Sequence, residues 1–287
     1  MNEAPTGEQS LKAYASPLLT VEGVSVRFAG VNALTDVSFQ VQPGELFAVI
    51  GPNGAGKTSL FNVLSRVYQP AAGQVMFDGR DLQRFKTYQV ARAGIARTFQ
   101  NLGQFPTMTV LDYLLLGWHT RMRSGIIFGG IYLGLTRREE KRNRAYCLHL
   151  LDLMGLQRLQ NQPLGSLPYG LQKRADIARA LALEPKLLLL DEPVAGMGLE
   201  ETEDIAAAIL DIKEQLGITQ ILVEHDMALV MGIADSVLVL DFGRVIAQGT
   251  PSEVQANPDV IKAYLGEEFG GGIAVAQSIS TEDHGAK

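Results

Sequence analysis

Residues 51–58, Gly-Pro-Asn-Gly-Ala-Gly-Lys-Thr, follow a continuous apolar run, Leu46–Ile50, and precede helical spacing through Leu60, Val63, Leu64 and Val67. No other feature restricts the fold so tightly. A buried strand that empties into a glycine-rich turn and then a helix builds a phosphate cradle. Glycines let successive amides curl inward without a Cβ clash, and the helix N-terminus faces them with partial positive charge. The pattern GxxxxGK[ST] is complete, in the strand-before, helix-after context that separates a phosphate loop from a glycine-rich turn with an exposed lysine. Lys57 is expected to neutralise β/γ-phosphate charge and the Thr58 hydroxyl to ligand Mg²⁺. Gly51, Pro52, Asn53, Gly54, Ala55, Gly56 and Ser59 complete the expected phosphate-binding set.

Around this loop, apolar alternation at Val24, Val26, Phe28 and at Val37, Phe39, Val41 predicts half-wet strands over Leu18–Phe28 and Val37–Val41, with a turn at Pro43-Gly44. A second buried run, Leu187–Leu190, ends in Asp191-Glu192-Pro193. Beyond it come a helix over Glu201–Leu216, an apolar run Gln220–Val223, a helix from Met227, and strands at Ser236–Leu240 and Arg244–Ala247. This alternation predicts an α/β fold whose parallel strands carry helices on both faces. Between about 87 and 183 the pattern turns helical (Thr109–Met122, Arg137–Met154, Tyr169–Leu183), with no further strand after Ala96–Gln100. An inserted helical block is the simplest account. Residues 1–17 are expected to be a disordered tail and 267–287 a flexible one, leaving 18–266 as one domain.

A strand ending in acids is common, but after a phosphate loop it points to chemistry. Asp191 is expected to hold Mg²⁺ and Glu192 to orient or deprotonate an attacking water. Composition removes other classes. With 25 basic against 31 acidic residues the net charge is −6, which argues against an extended nucleic-acid surface. Cys147, the single cysteine, excludes an internal disulfide and a Cys-based zinc site. The first 17 residues lack the apolar core of a secretory signal, and the stretch Gly125–Leu135 is too short to span a bilayer, so a soluble cytoplasmic chain is expected.

Residues 167–181, LPYGLQKRADIARAL, resemble the signature helix of ABC ATPases, LSGGQ followed by an Arg-rich helix ending IARAL. Phe99-Gln100 and Glu224-His225-Asp226 complete a motif order, from about 18 to 265, similar to that of an ABC nucleotide-binding subunit. IARTFQN at 95–101, Tyr169, VAGM at 194–197 and AYLGE at 263–267 are most similar to the branch serving branched-chain (hydrophobic) amino-acid importers. Related branches carry urea, amides or other small solutes. The resemblance implies a P-loop NTPase fold: a mixed sheet core, an antiparallel β subdomain and an inserted α-helical subdomain. It implies ATP and Mg²⁺ as cofactors. By the same resemblance Phe28 stacks on adenine, Gln100 contacts Mg²⁺ or its water, and His225 contacts the γ-phosphate. Tyr169 and Gly170 face a nucleotide bound by another subunit. The implied catalytic set is Lys57, Gln100, Glu192 and His225, and the implied metal set Thr58, Gln100 and Asp191. A second ATPase subunit (hetero- or homodimer), transmembrane permease subunits and, indirectly, an extracytoplasmic solute-binding protein are the implied partners, at the cytoplasmic face of the membrane; nucleic acid is not.

The chain departs from the family pattern at Pro168, Leu171 and Gly198, which stand where Ser, Gln and Asp are usual. Branch drift or a slow composite site would each account for this. The apolar stretch between Arg121 and Arg138, bracketed by basic residues, reads as a packed hairpin or helix or as a membrane-facing segment. Two rival functions are open: a nucleotide-switched module outside transport, for which a second ATPase domain or coiled-coil insertion would be expected, and a hydrolysis-dead scaffold, which an intact Glu192 disfavours.

Overall fold

The computed structural model describes residues 16–28, 30–99, 105–119 and 133–264. Among these the strands form two sheets. β3 (Leu46–Ile50), β7 (Leu187–Asp191) and β8 (Thr219–Val223) are buried along their whole length, as strands covered on both faces must be. They sit at the centre of a six-stranded sheet in the order β10-β9-β3-β8-β7-β6, with β6 at Ile95–Arg97, β9 at Ser236–Asp241 and β10 at Arg244–Gly249. All neighbours run parallel except β9 and β10, so the sheet is mixed. The second sheet is antiparallel, in the order β2-β1-β4-β5, from β1 (Leu19–Phe28), β2 (Val31–Val41), β4 (Ala72–Phe77) and β5 (Arg80–Asp81).

The strand period of two divides the core. Leu46, Ala48 and Ile50 of β3 face a cluster built with the helices, whereas Phe47 and Val49 face a cluster shared with the antiparallel sheet. The helices are α1 (Lys57–Leu64), α2 (Thr87–Ala93), α3 (Val110–His119), α4 (Leu133–Leu153), α5 (Tyr169–Leu181), α6 (Leu199–Leu216), α7 (Met227–Ile233) and α8 (Pro251–Gln255). None of the described helices is long and apolar enough to cross a membrane. Cys147 is buried within the helical cluster, and burial pushes its thiol up to about 11.

Three differences from the sequence reading have local causes. β2 begins at Val31, because residues 31–36 pair with β1 although they are largely exposed and carry no alternation. β4 and β5 form a hairpin absent from the sequence reading; its turn, Asp78-Gly79, has positive φ at both residues, the pairing that a tight two-residue hairpin demands. α1 ends at Leu64 and does not run on to Val67. Arg66 takes a left-handed conformation (φ 58°) and donates from its guanidinium to the carbonyls of Gln83 (2.8 Å) and Phe85 (3.1 Å). The tail 267–287, most of the tail 1–17, and 121–132 of the segment between Arg121 and Arg138 lie outside the described residues.

Candidate nucleotide site

The loop leaving β3 is wedged between two other stretches of main chain, which is why its glycines are needed. A Cβ on Gly51 would stand 2.0 Å from the Leu240 carbonyl oxygen, and one on Gly56 2.6 Å from that of Ala33. Both residues also have positive φ, 149° and 104°. Lys57, the first residue of α1, is buried, and its Nζ donates to the carbonyls of Gly51 (2.5 Å) and Pro52 (2.8 Å). The ammonium thus lies across the loop that would hold phosphate. Asn53, Gly54 and Thr58 are exposed at the loop and the first turn of α1. Phe28 is 42% exposed at the end of β1 and meets Tyr68 edge-to-face at 4.8 Å, so its ring is no core residue and keeps surface for a base to stack on. Tyr68 was not singled out from the sequence.

Two residues at the end of β7 behave differently. Asp191 is buried; its Oδ2 accepts from Arg97 Nη2 at 2.6 Å, while Oδ1 has no hydrogen-bond partner among the described residues. A buried carboxylate oxygen left unsatisfied is costly. That is the property expected of a metal-side ligand, so Asp191 with the Thr58 hydroxyl fits Mg²⁺. No group of three or more His, Cys, Asp or Glu side chains is placed to hold a metal ion among the described residues, and Mg²⁺ does not need one: it keeps waters and binds substrate phosphates with few protein ligands. Glu192 takes a left-handed backbone conformation (φ 48°), held by its amide donating to the Val223 carbonyl at 2.9 Å. Such a conformation costs of order 1–3 kcal/mol and persists where the surroundings enforce it. It brings Glu192 Oε1 to 3.1 Å from His225 Nε2. The Glu192 and His225 assignments therefore converge in space.

Glu224 binds these parts together and was not singled out as a site residue. It is buried, accepting the Val194 amide on Oε1 (2.9 Å) and the His225 amide on Oε2 (3.0 Å). Loss of solvent raises its pKa, against the opposing effect of these amides. A carboxylate closing a buried strand beside His225 was the available signal. Asp226 accepts the Leu229 amide (3.0 Å) and caps α7.

The signature residues lie apart from this cluster in character. Pro168 caps α5 without a side-chain hydrogen bond, Tyr169 is 46% exposed, and Gly170 lies against Glu201 of α6. Leu171 packs against the helical core, and Gly198 caps α6 without a side-chain hydrogen bond. Gln100 lies outside the described residues. Its neighbour Phe99 donates its amide to Asp176 Oδ2 at 2.6 Å, and Asp176 also accepts from Tyr113 and Arg179, each at 2.8 Å.

Known proteins share the sequence pattern and the fold. Residues 34–195 match the ABC transporter family, and residues 244–270 match the branched-chain amino acid ATP-binding cassette transporter family. The high-affinity branched-chain amino acid transport ATP-binding protein BraF of Pseudomonas aeruginosa is 41% identical over 251 residues, covering 88% of this chain and 98% of that protein. LivG of Escherichia coli, with the same description, is 39% identical over 253 residues, covering 88% and 99%. Among solved structures, the ADP conformation of an ATP-binding cassette of an ABC transporter superposes with a TM-score of 0.77 at 30% identity, covering 88% of this chain and all (100%) of that one.

Proposed function

The chain belongs to the ABC transporter ATP-binding family, and from that premise we propose that it hydrolyses ATP to energise uptake of branched-chain amino acids. The solute is argued from the relatives, which are described as branched-chain amino acid transport proteins, and from the match of residues 244–270. The observation that carries the chemistry is the 3.1 Å contact of Glu192 with His225, just past the ends of β7 and β8, the strands that follow β3 in the sheet order.

In this reading the loop amides and Lys57 hold the β- and γ-phosphates, and Phe28 offers a ring to the adenine. Thr58, Asp191 and Gln100 would hold Mg²⁺, which when bound offsets charge on the phosphate oxygens. Glu192 orients a water for in-line attack and takes its proton as the O–P bond to the leaving ADP breaks. His225, whose Nε2 lies against Glu192 here, turns its N–H toward the γ-phosphate when nucleotide binds. Residues 18–266 act as one cassette, with the helical stretch 87–183 passing motion to separate permease subunits. Tyr169 and Gly170 meet nucleotide on a second ATPase subunit, and the assembly sits at the cytoplasmic membrane face with a binding protein outside.

Glu192→Gln should retain ATP binding while phosphate release falls by about 10³-fold. Measured in a complex reconstituted with permease subunits and a solute-binding protein, leucine uptake should be lost in parallel. Parent complexes that take up urea or an amide but no leucine would overturn the solute assignment and leave the ATPase intact.

A further inference from the structure

We propose that Arg97 is a positioning residue for phosphate transfer, bracing Asp191 against α1 so that one carboxylate oxygen is kept for Mg²⁺; this rests on the reading of Thr58 and Asp191 as metal ligands. Arg97 closes β6, the edge strand beside β7. Nη2 donates to Asp191 Oδ2 at 2.6 Å, while Nη1 donates to Asn62 Oδ1 (2.7 Å) and Ser65 Oγ (3.0 Å), and the guanidinium carbon lies 5.6 Å from the Phe61 ring centroid. Asn62 and Ser65 stand four and seven positions beyond Thr58, so the three share one face of α1. The helix face that presents Thr58 in its first turn is thus tied, one and two turns later, to the carboxylate of Asp191.

The tie consumes Oδ2 and leaves Oδ1, which has no other partner among the described residues. A carboxylate held by one oxygen cannot rotate freely, so the oxygen on offer is a defined one. The root of the arginine is fixed as well. Its carbonyl accepts from Arg179 Nη2 (3.1 Å), and the hydroxyl of the next residue, Thr98, accepts the Asp191 amide (3.2 Å). Bridging two elements in this way needs the flat, multi-donor guanidinium; a lysine ammonium supplies the charge without the span. Simple neutralisation of a buried acid would need no contact with α1 or its C-cap, and Arg97 makes two hydrogen bonds there besides its approach to the Phe61 ring.

The test is Mg²⁺ titration of the full-length chain loaded with a fluorescent ATP analogue, against the same analogue in EDTA. Arg97→Met should bind the analogue in EDTA like the parent but need about ten-fold more Mg²⁺ for half-saturation, the scale of losses when a group orienting a metal ligand is removed. Asn62→Leu keeps the arginine and its charge while cutting an arm to α1, and should shift the Mg²⁺ requirement the same way. It also serves if Arg97→Met fails to fold. A parent-like Mg²⁺ requirement in folded Asn62→Leu, or full recovery in Arg97→Lys, would overturn the positioning role. Asp191→Asn separates the two levels: if it leaves the Mg²⁺ requirement untouched, the metal-ligand reading itself is wrong.

Discussion

At the C-terminal ends of the central strands of the mixed sheet the candidate polar groups are held by other parts of the same chain, whereas at the start of α5 and α6 they are not. Lys57, Asp191, Glu192, Glu224 and His225 are each tied to a carbonyl, an amide or a facing side chain. Pro168 and Gly198 open their helices without a side-chain cap, and the residues beside them, Tyr169 and Leu199, are 46% and 78% exposed. One region is preorganised by folding. The other presents helix starts and apolar surface that folding leaves uncovered, as expected of a half-site completed by a second subunit.

The contrast breaks most readily at Gly51. Gly51→Ala would drive a Cβ into the Leu240 carbonyl at a φ of 149° and should destabilise the chain by at least about 3 kcal/mol, abolishing ATP binding. Denaturant unfolding and nucleotide titration would read it; a variant with parent-like stability would mean the loop is less constrained than its contacts imply.

A smaller loss, about 1–3 kcal/mol, is expected from Glu224→Gln, because an amide offers one acceptor oxygen where Glu224 uses two. The effect depends on pH. Burial raises the folded-state pKa of Glu224, so its favourable contribution is fully present below the unfolded-state value and is lost as pH rises through the folded one. The stability gap between parent and Glu224→Gln should therefore widen in the parent's favour from pH 8 to pH 5. A gap that narrows over that range would contradict the burial argument. The smallest change is expected at Pro168→Ser, which supplies a capping hydroxyl to α5 and should alter stability by under about 1 kcal/mol in a thermal melt. If phosphate release by the assembled complex also rises, Pro168 slows the composite site; an unchanged rate assigns it to branch drift.

Much of the site was legible because its signals are local. The phosphate loop, the buried run into Asp191-Glu192 and the helix after it each announce themselves within about a dozen residues, the range over which turn and strand physics operates. The hairpin at residues 72–81 was missed although Asp78-Gly79 marks its turn, because its short strands and weak alternation hid it. Arg97 and Glu224 were out of reach for a different reason. A charge near the end of a buried strand announces a need for partners without naming them, and here the partners lie 94 residues away at Asp191 and 30 away at Val194.

The amino-acid order alone determined a glycine loop between a buried strand and a helix, and that two acids would close a second buried strand, since backbone sterics and strand burial act on neighbours. Only the tertiary structure decided which oxygen of Asp191 is spoken for, that Glu192 reaches His225, and that α1 is braced to β7 through a third strand. Those contacts join segments brought together by sheet order, and sheet order is set by burying the whole core at once.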